Sequence, residues 1–178
     1  MPFKSLSPVL SVSQQLGEAD VEQAARDGFR AIISNRPDGE EPGQLSAADM
    51  AALAARHGMG FAHVPVVPGK IGETVVAQMA DALARLDSPA LAYCRTGTRS
   101  ATLWALTQAS ALPASAVIAT AATAGYDLES LRSRLDTGAL QPEAPRATRA
   151  DVVIVGGGSA GLATAAPLPE RNRALQIS

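Results

Sequence analysis

With 178 residues, 47% of them hydrophobic, the chain can bury one proper core and carry something appended to it. Its 15 basic and 17 acidic side chains leave a net charge of −2, with no basic stripe interleaved with aromatics, which argues against a nucleic-acid partner. One cysteine excludes an internal disulfide and any CxxC metal or redox pair, and it suits a reducing, cytoplasmic setting.

The first residues, MPFKSLSPVLSVS, hold a single Lys and a short Ser-interrupted apolar stretch, which is not the pattern of a signal peptide. Residues 8–13 (PVLSVS) read as a strand, and residues 18–27 (EADVEQAARD) read as a helix closed by Gly28. The apolar RAIIS at 30–34 is then a strand buried on both faces, and this β-α-β unit implies a parallel pair. Residues 35–45 (NRPDGEEPGQL) are turn-rich and belong in a loop at the C-terminal end of that strand. Ser46 caps a helix running to about His57, and residues 61–67 form the next strand. A long amphipathic helix follows over 72–86, with Val75, Val76, Met79, Leu83 and Leu86 inward. The run at 90–93 completes an α/β fold with a parallel sheet of about four strands flanked by helices. Helical patterns then cover 100–110, 113–123 and 127–135. The first domain is expected to span residues 1–136, with a Pro-containing linker over 137–150.

Between the strand at 90–93 and the helix predicted from Ser100 lies Cys94-Arg95-Thr96-Gly97-Thr98-Arg99. A strand-loop-helix turn of this kind aims successive backbone N–H groups and a helix N-terminus at one spot, which makes an anion-binding nest. It falls at the C-terminal edge of the sheet, where open α/β folds bind their ligands. The helix dipole, the loop amides and the charges of Arg95 and Arg99 all favour the thiolate of Cys94, the nucleophilic form. Cys94 and Arg99 are the candidate catalytic residues, with Arg95, Thr96, Gly97, Thr98 and Ser100 as candidate substrate-binding groups.

These residues resemble two families that share a cysteine cradle. The rhodanese sulfurtransferases carry CR-S/T-G-x-R, which Cys94 to Arg99 match; the protein tyrosine and dual-specificity phosphatases place five residues between Cys and Arg, where this chain has four. The wider run, from SVSQQLGEADVEQAARDGFRAIISNRPDGEEPGQ through GMGFAHVPV to the Cys loop, resembles the β-lactamase-hydrolase-like, phosphatase-like domain family over about residues 3–136. That resemblance implies a dual-specificity-phosphatase fold with a sulfur-transferase or phosphatase role.

Further on, DVVIV at 151–155 is followed by Gly156, Gly158 and Gly161 in G-x-G-x-x-G spacing. Residues 152–166 form the longest apolar run, but they are studded with glycines and fall short of the ~18–20 residues needed to cross a bilayer, so no integral membrane segment is expected. The stretch resembles the opening β-α turn of flavoproteins such as sulfide:quinone oxidoreductases, and residues 151–178 supply only that opening unit. Pro167 and Pro169 break its helix, and no second strand follows to hold a ribose. A non-functional FAD/NAD-binding fragment and no cofactor are therefore expected.

The leading expectation is a sulfurtransferase. The Cys94 thiolate takes sulfane sulfur from thiosulfate or a persulfide and passes it to a thiol, with a small anionic or thiol substrate and a sulfide-oxidising flavoprotein as candidate partners. The rival is a phosphatase forming a phosphocysteine at Cys94; a non-catalytic anion-binding module is the third reading. For the phosphatase, Asp38 and Glu40, with Glu41 beside them, lie on a loop that ends at the same sheet edge and are the candidate general acids. The loop Pro68-Gly69-Lys70-Ile71-Gly72, where dual-specificity phosphatases carry that acid, holds no carboxylate. His57 is expected at a helix end and His63 mid-strand, and two histidines without a carboxylate cluster give no metal site.

Overall fold

The computed structural model describes residues 3–139. In chain order these form β1 (Lys4–Ser7), β2 (Leu10–Ser13), α1 (Glu18–Arg26), β3 (Ala31–Ser34), α2 (Ala47–Arg56), β4 (Gly60–His63), α3 (Glu73–Arg85), β5 (Ala90–Tyr93), α4 (Thr98–Thr107), α5 (Ala114–Thr123), a 3-10 turn (Glu129–Leu131) and α6 (Arg132–Ala139). The expected flavoprotein fragment, with Gly156, Gly158 and Gly161, lies outside the described residues, as does most of the expected linker. Among the described residues, no helix is long and apolar enough to cross a membrane.

Period-two alternation on the strands sets the layers. On β5, Ala90 and Ala92 join a core with Leu10, Val12, Ile33, Met79, Leu103 and Val117, while Leu91 and Tyr93 join a second core with Val21, Ile32, Met50 and Leu53. The sheet therefore carries α1 and α2 on one face and α3 to α6 on the other. α4 is buried from Ser100 to Leu106, because α3, α5 and α6 cover the side turned away from the sheet. Trp104 belongs to this core rather than to a substrate platform.

The strand order is β1-β2-β5-β3-β4, and the sheet is mixed, which corrects the expectation of a parallel sheet of about four strands. β1 pairs antiparallel with β2, and the remaining pairings are parallel. β2 and β3 are not neighbours either, since β5 enters between them. β4 stops at His63 rather than Val67 because the regular register with β3 ends there: Gly60 and Val64 donate to Arg30 O and Ser34 O, but Val66 donates to Asn35 O and not to Arg36 O. The chain beyond still follows β3, with Val64 N–H donating to Ser34 O at 2.8 Å and Val66 N–H to Asn35 O at 3.1 Å. By register, Ser13, Tyr93, Ser34 and His63 end level with one another, so the loops that follow all emerge along one edge.

The start of α2 is fixed twice. Ser46 Oγ accepts the Asp49 N–H at 3.1 Å, and Asp38 Oδ1 accepts the Ala47 N–H at 2.8 Å, which satisfies two of the N–H groups the helix itself leaves free. Ser46→Ala is expected to lower stability by about 1 kcal/mol, measured by urea unfolding. An unchanged midpoint would mean that the Asp38 cap alone holds the helix start.

Candidate active site

β5 ends at Tyr93, and Cys94 follows it fully buried, its N–H donating to Ser13 O at 3.4 Å. The chain then turns through Arg95 and Thr96 to Gly97, the residue before α4, which adopts a left-handed conformation with φ of 89°. Its N–H donates to Cys94 Sγ at 3.1 Å. The first N–H bonded within α4 is that of Ala101, to Gly97 O at 2.9 Å, so the N–H groups of Thr98, Arg99 and Ser100 precede the helical ladder. α4 thus starts two residues earlier than predicted. The N-terminal amides of the helix stand where a longer loop would otherwise supply donors.

Gly97 is required on two counts. A Cβ would be strained at that φ, and it would also collide with the Tyr126 hydroxyl, which lies against the Gly97 backbone. Tyr126 is in turn covered by Lys4, whose Nζ sits 4.6 Å from the ring centroid. Burial, together with the negative charge of a Cys94 thiolate, raises the Tyr126 pKa and keeps the phenol protonated.

Arg99 is held at two points. Its Nη1 donates to Val66 O at 2.7 Å and its Nη2 to Glu40 Oε2 at 2.8 Å. Glu40 Oε2 also accepts from Arg36 Nε at 2.6 Å. Arg36 Nη1 donates to Gln15 Oε1 at 2.6 Å, and Arg36 Nη2 pairs with Glu41 Oε2 at 2.7 Å. Glu41 Oε1 then reaches Arg95 Nε at 3.0 Å. The bond from Arg99, and after it that from Arg36, holds the Glu40 carboxyl below the usual carboxylate range against the opposing effect of burial. Burial works against the Arg99 charge, but the Glu40 bond and the charges of Cys94 and Glu40 raise its pKa overall.

Of the residues singled out from sequence, Cys94, Gly97, Arg99 and Glu40 come together. Arg95 lies on the rim with a 64% exposed side chain, and Thr96 and Thr98 bond one another at 3.2 Å on the exposed side of the loop. Ser100 Oγ is buried without a protein partner. Asp38 caps α2, and His57 ends that helix. His63 Nε2 meets Arg36 O at 2.9 Å rather than Cys94. Arg36, Gln15, Tyr126 and the Val66 carbonyl were not singled out; Arg36 had a signal in its i, i+4 spacing to Glu40, on a loop already placed at the right edge.

The α/β fold is similar to dual-specificity phosphatase folds. Kinase-associated phosphatase, in a form whose catalytic-site cysteine is replaced by serine, superposes with a TM-score of 0.57 at 17% identity over 79% of this chain and 96% of that one. A candidate phosphatase from Neisseria meningitidis is similar at 38% identity and a TM-score of 0.71, over 78% of this chain and 99% of that one. The model of the beta-lactamase hydrolase-like protein, phosphatase-like domain, matches residues 2–111, and the chain belongs to that family. A beta-lactamase hydrolase-like protein of Agrobacterium fabrum is 35% identical over 100 residues, 56% of this chain but 23% of that protein. The chain spans about a quarter of the length of the curated relatives it matches.

These findings overturn the sulfurtransferase expectation and favour its phosphatase rival. That expectation rests on the four residues between Cys94 and Arg99, the lack of a carboxylate at 68–72 and the flavoprotein-like stretch, but a residue count does not measure the nest, since the N–H groups of Thr98, Arg99 and Ser100 precede the ladder of α4. The family match ends at residue 111, so the flavoprotein resemblance of residues 151–161 gains no support from it.

Two outcomes follow from this geometry. Gly97→Ala should cost about 2 kcal/mol or more, from left-handed strain and from the clash, and adding Tyr126→Phe should recover part of it in thermal unfolding. Full recovery would mean that the backbone conformation is not strained. Because the Glu40 pKa is lowered on folding, its pairing stabilises the fold fully above about pH 4.3 and is lost as pH falls through the lowered value. The stability gap between wild type and Glu40→Gln should therefore be widest near pH 7 and close as pH falls below the ordinary glutamate range. A gap that stays constant across urea titrations at several pH values would remove Glu40 from this linkage.

Proposed function

We propose that the domain hydrolyses phosphate monoesters through a phosphocysteine at Cys94. The observation that carries this reading is Arg99, held by Glu40 and the Val66 carbonyl beside a loop whose Gly97 N–H already points at Cys94 Sγ. Membership of a phosphatase-like family supports it.

In this mechanism Cys94 Sγ attacks phosphorus, and an S–P bond forms as the P–O bond to the leaving group breaks. Water then attacks the phosphocysteine, releasing phosphate and returning the thiolate. The N–H groups at the start of α4 and the uncommitted N–H groups of Arg99 hold the equatorial oxygens, where negative charge must be stabilised in both steps. Arg95, on the rim, draws in the anion.

Glu40 anchors Arg99 and stays ionised, so it does not deliver the proton to the leaving group. Glu41 is likewise paired, with Arg36 and Arg95, so of the candidate acids this leaves Asp38, one of whose oxygens is engaged by α2. Substrates with weakly basic leaving groups, which need little protonation, are accordingly favoured, and aryl phosphates are the suitable probe. A lone thiol nucleophile suits a reducing, cytoplasmic environment.

With p-nitrophenyl phosphate, Cys94→Ser should lower kcat/KM at least about a thousandfold, because a hydroxyl without an adjacent base stays protonated. Arg99→Lys should cost on the order of a hundredfold, since a planar fork is replaced by a point charge. Rapid quenching of the wild-type reaction should trap a protein heavier by one phosphoryl group at Cys94. Hydrolysis that survives in Cys94→Ser would overturn the assignment.

A further inference from the structure

Arg36 is the most deeply buried arginine of the site, with its side chain 2% exposed against 12% for Arg99 and 64% for Arg95. A buried guanidinium costs several kcal/mol unless its donors are matched. Here Nε and Nη1 are hydrogen-bonded to Glu40 and Gln15, while Nη2 is ion-paired with Glu41 without hydrogen-bond geometry, and each partner leads to the cysteine loop. Glu40 carries one line to Arg99, and Glu41 carries a second to Arg95. The third runs through Gln15, whose own N–H donates to Arg95 O at 3.3 Å. The preceding residue completes the arrangement. Asn35 donates its N–H to Tyr93 O at 2.8 Å and its side-chain Nδ2 to Val64 O at 3.1 Å, and it accepts from Val66 N–H. Residues 35 and 36 thus locate both groups against which Arg99 rests, the Glu40 carboxylate and the Val66 carbonyl.

The bonds from Arg36 Nε and Arg99 Nη2 fall on the same oxygen, Glu40 Oε2. A carboxylate facing Arg99 alone is free to take two of its N–H groups in a bidentate pair, which would occupy the fork. By sharing that oxygen, Arg36 holds the carboxylate to a single bond with Arg99 and leaves other N–H groups of the fork free for an incoming anion. We infer that Arg36 is a positioning residue of the site, one that orients Arg99 through Glu40 and keeps its fork open to an oxyanion. Arg36 itself touches neither Cys94 nor the anion. This inference rests on the phosphatase reading for its purpose, but not for its test.

Because Cys94 is the only thiol in the chain, alkylation reports on this site alone. The ratio of the rate constants for iodoacetate, an anion, and iodoacetamide, its neutral analogue, measures how well the site presents positive charge to an incoming carboxylate. It requires no turnover. Arg36→Gln should lower that ratio about fivefold, and Arg36→Lys should give an intermediate loss, since one ammonium restores the charge without the fork. In a Glu40→Gln background Arg36→Gln should change the ratio by less than about 1.5-fold, because the residue through which Arg36 acts is already gone.

An unchanged ratio in folded Arg36→Gln would overturn the inference. So would the same loss in both backgrounds, which would make Arg36 a distant charge and nothing more. Should circular dichroism show Arg36→Gln to be unfolded, the same cycle run with Arg36→Lys decides the question: the loss must vanish when Glu40 is Gln. Absence of p-nitrophenyl phosphate hydrolysis by the wild type would sink the activity reading while leaving the alkylation ratios to judge Arg36.

Discussion

β5 is hydrogen-bonded to β2 on one side and β3 on the other, in a register that brings Ser13, Tyr93 and Ser34 level. That constraint places the site. A strand paired on both edges cannot slip by a residue without turning Leu91 and Tyr93 out of one core and Ala90 and Ala92 out of the other. The position of Cys94 is thereby set by packing several residues away from it. The chain leaving β2 arrives beside it with Gln15, and the chain leaving β3 arrives on its other side with Asn35 and Arg36. Gly97, at the head of α4, then bends the backbone through a conformation that few other residues adopt and points its own N–H at the sulfur.

Much of the layering was legible because it follows from short-range patterns. The short, largely apolar AIIS and ALAY read as strands covered on both faces, and the Ser46 cap with Asp49 three residues on marked the start of α2. Pairing order was not legible, because nothing local to residues 10–13 or 31–34 states that a strand eighty or sixty residues later will enter between them. β1 was hidden for a different reason. KSLS is too short and too polar to announce itself, and its register with β2 is irregular between Ser5 and Ser7. It is nonetheless the strand that carries Lys4 to Tyr126, and so it reaches the back of the nest.

In the site, the nest itself was readable because a strand, a cysteine, a glycine and a helix in that order leave few ways for the amides to point. The support around it was not. In the sequence Glu40 is one of the candidate general acids of the phosphatase reading, whereas in the fold it lies between Arg99 and Arg36 and is held ionised. Which role a carboxylate plays depends on the charges that tertiary structure brings to it, and Arg99 lies 59 residues away in sequence. The preference for sulfur transfer had the same origin. Counting four residues from Cys94 to Arg99 treated the loop as an isolated ring, yet the donors facing an anion come from a loop and a helix that begin and end within one another.

The charges of the site also bear on how it would treat a phosphate. Arg36, Arg95 and Arg99 face Glu40 and Glu41, which leaves one positive charge in excess, and a Cys94 thiolate balances it. On the phosphatase reading, a phosphate dianion therefore enters a site close to neutral and not a strongly cationic trap. Its grip must come mainly from directional donors, the amides of the loop and of the first turn of α4 and the open part of the Arg99 fork. Such donors discriminate by geometry more than by net charge. They favour the trigonal, in-line arrangement at phosphorus over any anion that happens to be nearby, and they hold the product with less force than three unpaired arginines would. On the same reading Arg36, bonded to Glu40 and Gln15 and ion-paired with Glu41, orders the fork of Arg99 while the two carboxylates offset its charge.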